Sequence, residues 1–244
     1  MATTVTRPSF LLVHGSWHRP TCWASLQDAL AARGWQSRTV DLPSVGPQRT
    51  PVAGMRDDAD EIAAQLRRMD GPVVVLAHSY AGIPATQAVS DRTSAVRIVY
   101  LAAYVPAEGE CLNSFYGEAP RAPEDEDLRD TTPVLSDDPR ASLYGDLPDA
   151  EAERAVGELV EQSLRAYQQP VTHAAWRTVP STYVLCENDQ VLPPALQERM
   201  STRTTHVERL GTHHCPFLSA PAELAALLDR IATAEDREPH ESHR

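Results

Sequence analysis

A serine at position 79 stands where a run of apolar residues meets the start of a predicted helix. Residues 73–76 (VVVL) are typical of a buried strand, and the residues two before and two after the serine, Ala77 and Ala81, are both small. A nucleophile elbow needs small residues there, because its turn is too tight for larger side chains. The segment therefore predicts that Ser79 is a nucleophile. The alternative is a serine that caps a helix after a core strand.

An acid and a histidine follow in the order that an elbow serine requires, with the acid first along the chain. Asp189 and Glu187 both come after the apolar run 182–186, where parallel sheets place functional loops. Asp189 is the predicted acid, and Glu187 is the alternative. His213 and His214 share the loop after the next apolar run, and only one of two adjacent side chains can face the serine. These residue types predict a Ser-His-Asp triad for nucleophilic catalysis.

The composition excludes several other chemistries. All 22 basic residues are Arg, so the chain has no lysine for a Schiff base or a P-loop. The 34 acidic residues give a net charge of −12, which would repel a nucleic acid. A zinc site at His213, His214 and Cys215 is disfavoured, because neighbouring side chains diverge and no second cluster of ligands matches them. We therefore expect no metal, no organic cofactor and no nucleic-acid partner.

Cysteine usage and hydropathy favour a cytoplasmic protein. The cysteines are far apart and form no C-x-x-C pair, which favours thiols in a reducing compartment over disulfides; they are Cys22, Cys111, Cys186 and Cys215. No run approaches the roughly 20 apolar residues that a membrane span needs. Residues 1–8 contain no apolar leader. We therefore expect neither secretion nor a membrane partner.

Short apolar runs alternate with amphipathic stretches and supply the elements that must position these residues. The runs that predict strands are residues 10–13, 38–40, 73–76, 96–105, 182–186 and 206–210. The last run alternates in polarity, which favours a strand near an edge of the sheet. Helices are expected near 21–33, 55–69, 80–91, 195–201 and 221–233. This alternation predicts an α/β fold with a doubly wound, mostly parallel, six-stranded sheet.

The alternation breaks between Pro106 and Pro180, which indicates an insertion. Residues 152–167 place apolar side chains at helical spacing, so we expect one amphipathic helix there, within a helical cap inserted after the fourth core strand. The alternative is a disordered acidic loop, for which residues 124–130 (EDEDLRD) are typical. The expected division is a core at 1–106 and 180–233, a cap at 107–179 and a disordered tail at 234–244.

Several motifs in register, spread over nearly the whole chain, resemble those of the α/β-hydrolases. They are residues 12–18 (LVHGSWH) with Cys22 and Trp23 behind them, 77–82 (AHSYAG), 100–106 (YLAAYVP), 183–189 (YVLCEND) and 214–221 (HCPFLSAP). The resemblance is to the branch of plant methyl esterases, hydroxynitrile lyases and bacterial pyrethroid-hydrolase-like esterases. It implies that Ser79 is the nucleophile, Asp189 the acid and His214, rather than His213, the base.

The resemblance also implies an oxyanion hole and part of a substrate pocket. The backbone N–H groups of Ser16, in the loop after the first strand, and of Tyr80, next to the nucleophile, would bind the oxyanion. The side chains of Trp17, His18 and Trp176 are candidate pocket walls, although an aromatic side chain at such a position can equally belong to the core.

The chain departs from the family pattern in the elbow and in the first loop. Ala77 and Ala81 replace the usual glycines, and Arg19 stands where relatives commonly have Gly. A hydroxynitrile lyase would have Thr after the first-strand His and Lys after the catalytic His, whereas this chain has Gly15 and Cys215. Lyase activity of that type is therefore disfavoured.

The predicted function is hydrolysis of a carboxylic ester, or a related acyl compound, of a small apolar molecule through an acyl-enzyme. Apolar and aromatic residues of the insertion suggest this small-molecule substrate; they are Phe115, Leu143, Leu159, Leu164, Tyr167 and Trp176. The alternatives are a biosynthetic cyclase, dehydratase or C–C lyase that reuses the triad, and a small-molecule receptor on the same fold. The sequence leaves a homodimer open.

Overall fold

The apolar runs form strands and the amphipathic stretches form helices in a computed structural model that describes residues 7–47, 52–120, 131–132 and 137–234. The strands of this part are β1 (Ser9–Val13), β2 (Ser37–Val40), β3 (Val73–His78), β4 (Ala95–Leu101), β5 (Thr131–Thr132), β6 (Gln162–Ser163), β7 (Ser181–Cys186) and β8 (His206–Leu210). The α-helices are α1 (Ala24–Ala31), α2 (Met55–Arg67), α3 (Gly82–Ala88), α4 (Pro139–Tyr144), α5 (Asp149–Gly157), α6 (Arg165–Gln168), α7 (Pro194–Ser201), α8 (Pro216–Ser219) and α9 (Pro221–Thr233). Short 3-10 helices lie at Pro20–Trp23, Ser79–Ala81, Leu112–Tyr116 and Ala175–Arg177.

The main sheet has six strands in the order β2-β1-β3-β4-β7-β8, and every neighbouring pair is parallel. β3 is buried at every position, because elements cover both faces of the sheet, and it therefore has no polar alternation. β8 lies at one edge and exposes four of its five residues. The predictions of a doubly wound α/β fold and of an edge strand at 206–210 are confirmed.

Alternate side chains of β1 enter two hydrophobic cores, one on each face of the sheet. Leu11 and Val13 pack in the core that includes α2 and α3, whereas Phe10 and Leu12 pack in the core that includes α1 and α9. Because the strands are parallel, the carboxyl ends of β1, β3, β7 and β8 lie along the same edge of the sheet. The loops that follow them carry the candidate site residues.

The prediction of one helix over residues 152–167 is wrong. The segment forms α5, a bend, the short strand β6 and then α6. Between the two helices its backbone bonds to other parts of the protein: the N–H of Val160 donates to the carbonyl of Trp17, and the N–H of Ser163 donates to the carbonyl of Ser44. β6 also pairs with β5 in a small antiparallel sheet. These tertiary hydrogen bonds outweigh the helical spacing of the apolar side chains.

The described parts of the insertion contact the core near the carboxyl ends of the strands. α6 packs against α2, and residues of the Leu112–Tyr116 turn pack against the core beneath. The acidic stretch 124–130 and the tail from residue 235 onward lie outside the described residues. Within the described ranges, no helix is both long and apolar enough to cross a bilayer.

Candidate active site

Ser79 follows β3 directly and has a backbone φ of +55°. This left-handed conformation is uncommon and strained for a residue with a side chain, and it is typical of a nucleophile elbow. The turn leads into α3 at Gly82, where an added Cβ would overlap the carbonyl oxygen of Tyr104. The elbow therefore needs a glycine at position 82. Ala77 and Ala81 are fully buried, so alanine in place of glycine fits the turn at these two positions.

His214 and Asp189 form a buried pair at the ends of neighbouring loops. The Nδ1 atom of His214 donates to the Oδ2 atom of Asp189 at 2.7 Å, and both side chains are almost completely buried. The carboxylate also accepts the backbone N–H groups of Val191 and Leu192 at 2.7 and 2.9 Å. Because Nδ1 carries the proton, Nε2 of the neutral ring is the basic nitrogen.

Glu187, the alternative acid, lies apart from this pair. Its side chain is 50% exposed, and its nearest cation is Arg209, with an oxygen-to-nitrogen distance of 4.0 Å. Asp189 is instead held by Gln197, whose amide nitrogen donates to Oδ2 at 3.2 Å. The geometry therefore favours Asp189 as the partner of the histidine.

The two adjacent histidines have different surroundings. The backbone N–H of His213 donates to Oδ2 of Asp146 at 2.9 Å, and its side chain packs against Gly145. His214 lies beside His78, the residue before Ser79, with ring centroids 4.6 Å apart. The Nε2 atom of His78 donates to the carbonyl oxygen of His214 at 2.9 Å. The structure thus brings His214, and not His213, to the elbow and the acid.

The loop after β1 packs directly against the elbow. A Cβ at Gly15 would lie 2.9 Å from Cβ of Ser79, so only glycine permits this approach. Two buried histidines fix the carbonyl groups of the loop: Nδ1 of His14 donates to the oxygen of Gly15 at 3.0 Å, and Nδ1 of His18 donates to the oxygen of Ser16 at 2.8 Å. Burial lowers the pKa of His14 to about 3 and that of His18 to about 4, so both rings are neutral at neutral pH.

The N–H groups of Ser16 and Tyr80 belong to the two segments that meet at Ser79. Ser16 is followed by Trp17, whose φ of +62° turns the loop towards the elbow. Tyr80 is in the first turn of the Ser79–Ala81 3-10 helix, where N–H groups have no partner within the helix. The two segments can therefore present N–H groups to an oxygen bound beside Ser79.

A cavity of about 390 Å³, here called the Ser79 cavity, opens at the nucleophile. Its wall is formed by Ser16, Trp17, Ser79, Tyr104, Leu112, Asn113, Tyr116, Ser142, Leu143, Tyr167, Gln190 and Val191. Among these described lining residues, none carries a charge. The volume lies near the lower end of the roughly 300–1,000 Å³ of small-molecule sites, so the cavity suits a small neutral ligand.

The structure places two of the candidate pocket residues away from this cavity. His18 lies on the far side of its loop and faces a separate cavity of about 210 Å³, where Nε2 accepts from the hydroxyl of Tyr144 at 2.9 Å. Trp176 donates from Nε1 to the carbonyl of Pro106 at 2.8 Å and is not among the described residues that line the cavity. Trp17 does line the cavity. The expectation that His18 and Trp176 form its wall is therefore corrected.

Sequence reasoning missed Asp58, a fully buried residue of α2. Asp58 falls at helical spacing with the buried apolar residues Met55 and Ile62, so it lies on the apolar face of the helix. A charged residue on an apolar face is the signal that could have found it. The tyrosines at 104 and 116 in the cavity wall gave no comparable signal.

The described residues contain no group of three or more His, Cys, Asp or Glu side chains close enough to hold a metal ion. In particular, His213 contacts Asp146, whereas His214 lies beside His78. The arrangement at Ser79 combines a strained serine, a buried Asp-His pair, two converging backbone segments and a cavity without charge among its described lining residues.

Comparison with known proteins identifies the family. The model of the alpha/beta hydrolase family matches residues 10–227, so the chain belongs to that family and is a hydrolase by class. The chain is 29% identical to the Probable hydrolase R7 of a Phoma species over 93% of its length and 99% of that protein. It is 28% identical to Methylesterase 7 of Arabidopsis thaliana, over 91% of this chain and 95% of the relative.

A solved structure agrees with these sequence relatives. The pyrethroid hydrolase of Sphingobium faniae superposes with a TM-score of 0.74 and 25% sequence identity, over 94% of this chain and 98% of that one. The similarity therefore covers the core and the insertion together. The predicted resemblance to the branch of methyl esterases and pyrethroid hydrolases is confirmed.

Proposed function

We propose that the protein hydrolyses a carboxylic ester of a small neutral molecule through an acyl-enzyme on Ser79. The observation that carries this proposal is the buried pair of His214 and Asp189, 2.7 Å apart, beside a serine held at a φ of +55° on a cavity wall. Relatives named hydrolase, methylesterase and pyrethroid hydrolase support the same reaction.

In the first half of the reaction, the Oγ atom of Ser79 attacks the ester carbonyl carbon while Nε2 of His214 accepts the hydroxyl proton. Asp189 holds the Nδ1 proton and stabilises the imidazolium that forms. The negative charge on the carbonyl oxygen is stabilised by the N–H groups of Ser16 and Tyr80. The tetrahedral intermediate then collapses, and the alcohol leaves with the proton from His214.

In the second half, water attacks the acyl group on Ser79. His214 accepts a proton from the water, and the tetrahedral intermediate expels the Ser79 oxygen, which recovers a proton from the imidazolium. The products are the carboxylic acid and the free enzyme.

The cavity wall supports a neutral and largely apolar substrate. Trp17, Tyr104, Leu112 and Leu143 provide aromatic and aliphatic contacts, and no described lining residue offers a cation to a charged acid. A molecule with an ionised carboxylate would lose its hydration without gaining a partner. We therefore propose neutral esters as the substrates.

A chromogenic short-chain ester assay with the purified protein and with Ser79→Ala tests this function. We expect turnover by the protein and its loss in the variant, together with labelling of Ser79 by a fluorophosphonate probe. Turnover that persists in Ser79→Ala would remove the serine from the mechanism. Tight ligand binding without turnover would favour a receptor, and a rearranged product without uptake of water would favour a biosynthetic enzyme.

We also propose a cytoplasmic location. All four cysteines are free and buried, which suits a reducing compartment; they are Cys22, Cys111, Cys186 and Cys215. Fractionation of the native host tests this proposal, and recovery of the protein from the culture medium would contradict it.

A further inference from the structure

Asp58 lies at the centre of a buried hydrogen-bond network behind the candidate active site. Its side chain is fully buried on α2, and Oδ1 accepts the backbone N–H of Ser44 at 2.9 Å. Oδ2 accepts two hydroxyl groups, from Ser44 at 2.6 Å and from Tyr80 at 2.6 Å. Tyr80 is the residue whose N–H is proposed to bind the oxyanion, so one of the two donor residues is bonded directly to this carboxylate.

The network continues from Ser44 to the other donor residue, Ser16. The amide nitrogen of Gln162 donates to Oγ of Ser44 at 3.0 Å, and its oxygen accepts the hydroxyl of Tyr167 at 2.8 Å. Because an amide oxygen can only accept, the proton of Tyr167 is committed to it. The contact of 3.1 Å between the hydroxyl oxygens of Tyr167 and Ser16 then requires Ser16 to donate. Each residue along this path thus donates to the next, from Ser16 through Tyr167, Gln162 and Ser44 to the carboxylate of Asp58, which only accepts.

The two branches of the network also touch each other. The rings of Tyr80 and Tyr167 meet edge to face, with centroids 5.7 Å apart and an angle of 77° between the planes. Asp58, Ser44, Tyr80 and Gln162 are fully buried, so water has little access to the bonds at Asp58 and Ser44. The network is therefore a closed ring of contacts that joins α2, the elbow, the loop after β1 and the insertion. Buried networks of this kind restrict the positions of all their members.

An ionisable group at this place is costly. Burial raises the pKa of Asp58 to about 7, although the hydrogen bonds from Ser44 and Tyr80 act in the opposite direction. An apolar residue would pack on α2 without this cost. The acid lies between the two oxyanion donor residues and is linked to both by hydrogen bonds. An apolar residue at this position could not form those bonds.

We propose that Asp58 is a positioning residue that anchors both sides of the oxyanion hole, Tyr80 directly and Ser16 through Ser44, Gln162 and Tyr167. This inference rests on the proposed function. An oxyanion hole stabilises the transition state only if its donors are fixed before the reaction, and a displacement of about 1 Å can cost roughly 100-fold in rate. Because Gln162 and Tyr167 belong to the insertion, the bond from Ser16 to this network forms only when the insertion is docked on the core.

The most direct test removes single hydroxyl groups from buried tyrosines. Tyr80→Phe breaks the bond to Asp58, and Tyr100→Phe is the matched control. Tyr100 is equally buried, and its hydroxyl bonds to that of Thr86 at 2.8 Å, outside the network. For the full-length protein and both variants, kcat, KM, the melting temperature and the rate at which a fluorophosphonate labels Ser79 are measured.

We expect Tyr80→Phe to lower both kcat and the labelling rate by about 10-fold or more, with KM within about threefold. Tyr100→Phe should change kcat by less than about threefold, even if both variants lose similar thermal stability. A purely structural role would move the two melting temperatures and leave the two kcat values alike. Equal effects of the two variants on kcat would therefore overturn the proposal.

Asp58 itself is tested by a pair of substitutions. Asn keeps an oxygen for the N–H of Ser44, and its amide group can donate to the hydroxyls of Ser44 and Tyr80, which can also accept. Asp58→Asn should therefore keep kcat within about threefold, whereas Asp58→Ala should lose about 10-fold or more. If Asp58→Ala does not fold, Tyr80→Phe decides the question alone.

The labelling experiment separates this inference from the proposed function. If the unaltered protein is not labelled at Ser79, the proposed function fails and the positioning role fails with it. If Ser79 is labelled but Tyr80→Phe reacts as fast as Tyr100→Phe, the function stands and only the role of Asp58 is refuted.

Discussion

Asp58→Asn should make the protein more stable above pH 7 and leave its stability nearly unchanged near pH 4. The carboxyl group is fully buried, and burial raises its pKa from 3.8 to about 7. Between these values the folded protein keeps a proton on Asp58 that the unfolded chain has released. Stability present at pH 4 is therefore lost as the pH rises towards 7. Asn carries no charge at any of these pH values and escapes the loss.

The size of the effect follows from the two pKa values. Their difference of about 3, at roughly 1.4 kcal/mol for each pKa unit, gives the variant roughly 4 kcal/mol more stability at pH 8. Burial also lowers the pKa values of His14, His18 and His78, so these rings destabilise the fold as the pH falls below 6.5. Those contributions are common to both proteins and cancel in the difference.

Urea unfolding followed by tryptophan fluorescence, at several pH values between about 4.5 and 8, measures this difference. Asp60→Asn is the matched control, because it removes an exposed carboxylate from the same helix. Its effect should stay within about 0.5 kcal/mol at every pH. A free-energy difference between Asp58→Asn and the unaltered protein that does not change with pH would refute the argument that burial controls this carboxyl group.

Asp189→Asn should lower kcat by roughly 10⁴-fold with KM nearly unchanged, and Glu187→Gln should have little effect; a larger loss for Glu187→Gln in steady-state kinetics would move the acid role to that residue. Gly82→Ala should destabilise the protein by about 1–3 kcal/mol through overpacking, whereas Gly157→Ala, with open space around it, should not. Equal denaturation midpoints would contradict the close packing of the elbow.

The sheet could be predicted because its strands are apolar for a simple physical reason. β3, which is buried on both faces of the sheet, is marked by a nearly continuous run of apolar residues, whereas β8 at the edge is marked by its alternation in polarity. The ends of the strands were harder to predict. The fourth strand ends at Leu101 instead of residue 105, because Ala102 adopts a φ of +40° and turns the chain. That turn depends on the neighbouring elbow and leaves no pattern in the apolar residues.

Only part of the candidate site could be predicted from the sequence. Ser79, Asp189 and His214 follow strands, so their arrangement follows from the order of motifs along the chain. The cavity wall depends on how the insertion docks on the core. That docking is determined jointly by residues that lie far apart in the sequence. The helical spacing of 152–167 therefore predicted one helix where the protein forms two helices and a strand. The orientations of His18 and Trp176 depend on hydrogen bonds to Tyr144 and Pro106, which no local sequence pattern shows.

Backbone strain is concentrated at the same edge of the sheet. Among the described residues, the non-glycine positions with positive φ are Trp17, Ser79 and Ala102, at +62°, +55° and +40°. Each follows one of the neighbouring strands β1, β3 and β4 at its carboxyl end. Strained residues of this kind cost of order 1–3 kcal/mol each and persist only where the surrounding structure holds them. The chain therefore carries strain and a buried carboxylate together at the place where a reacting carbonyl would be bound, as expected if that surface is held rigid for catalysis.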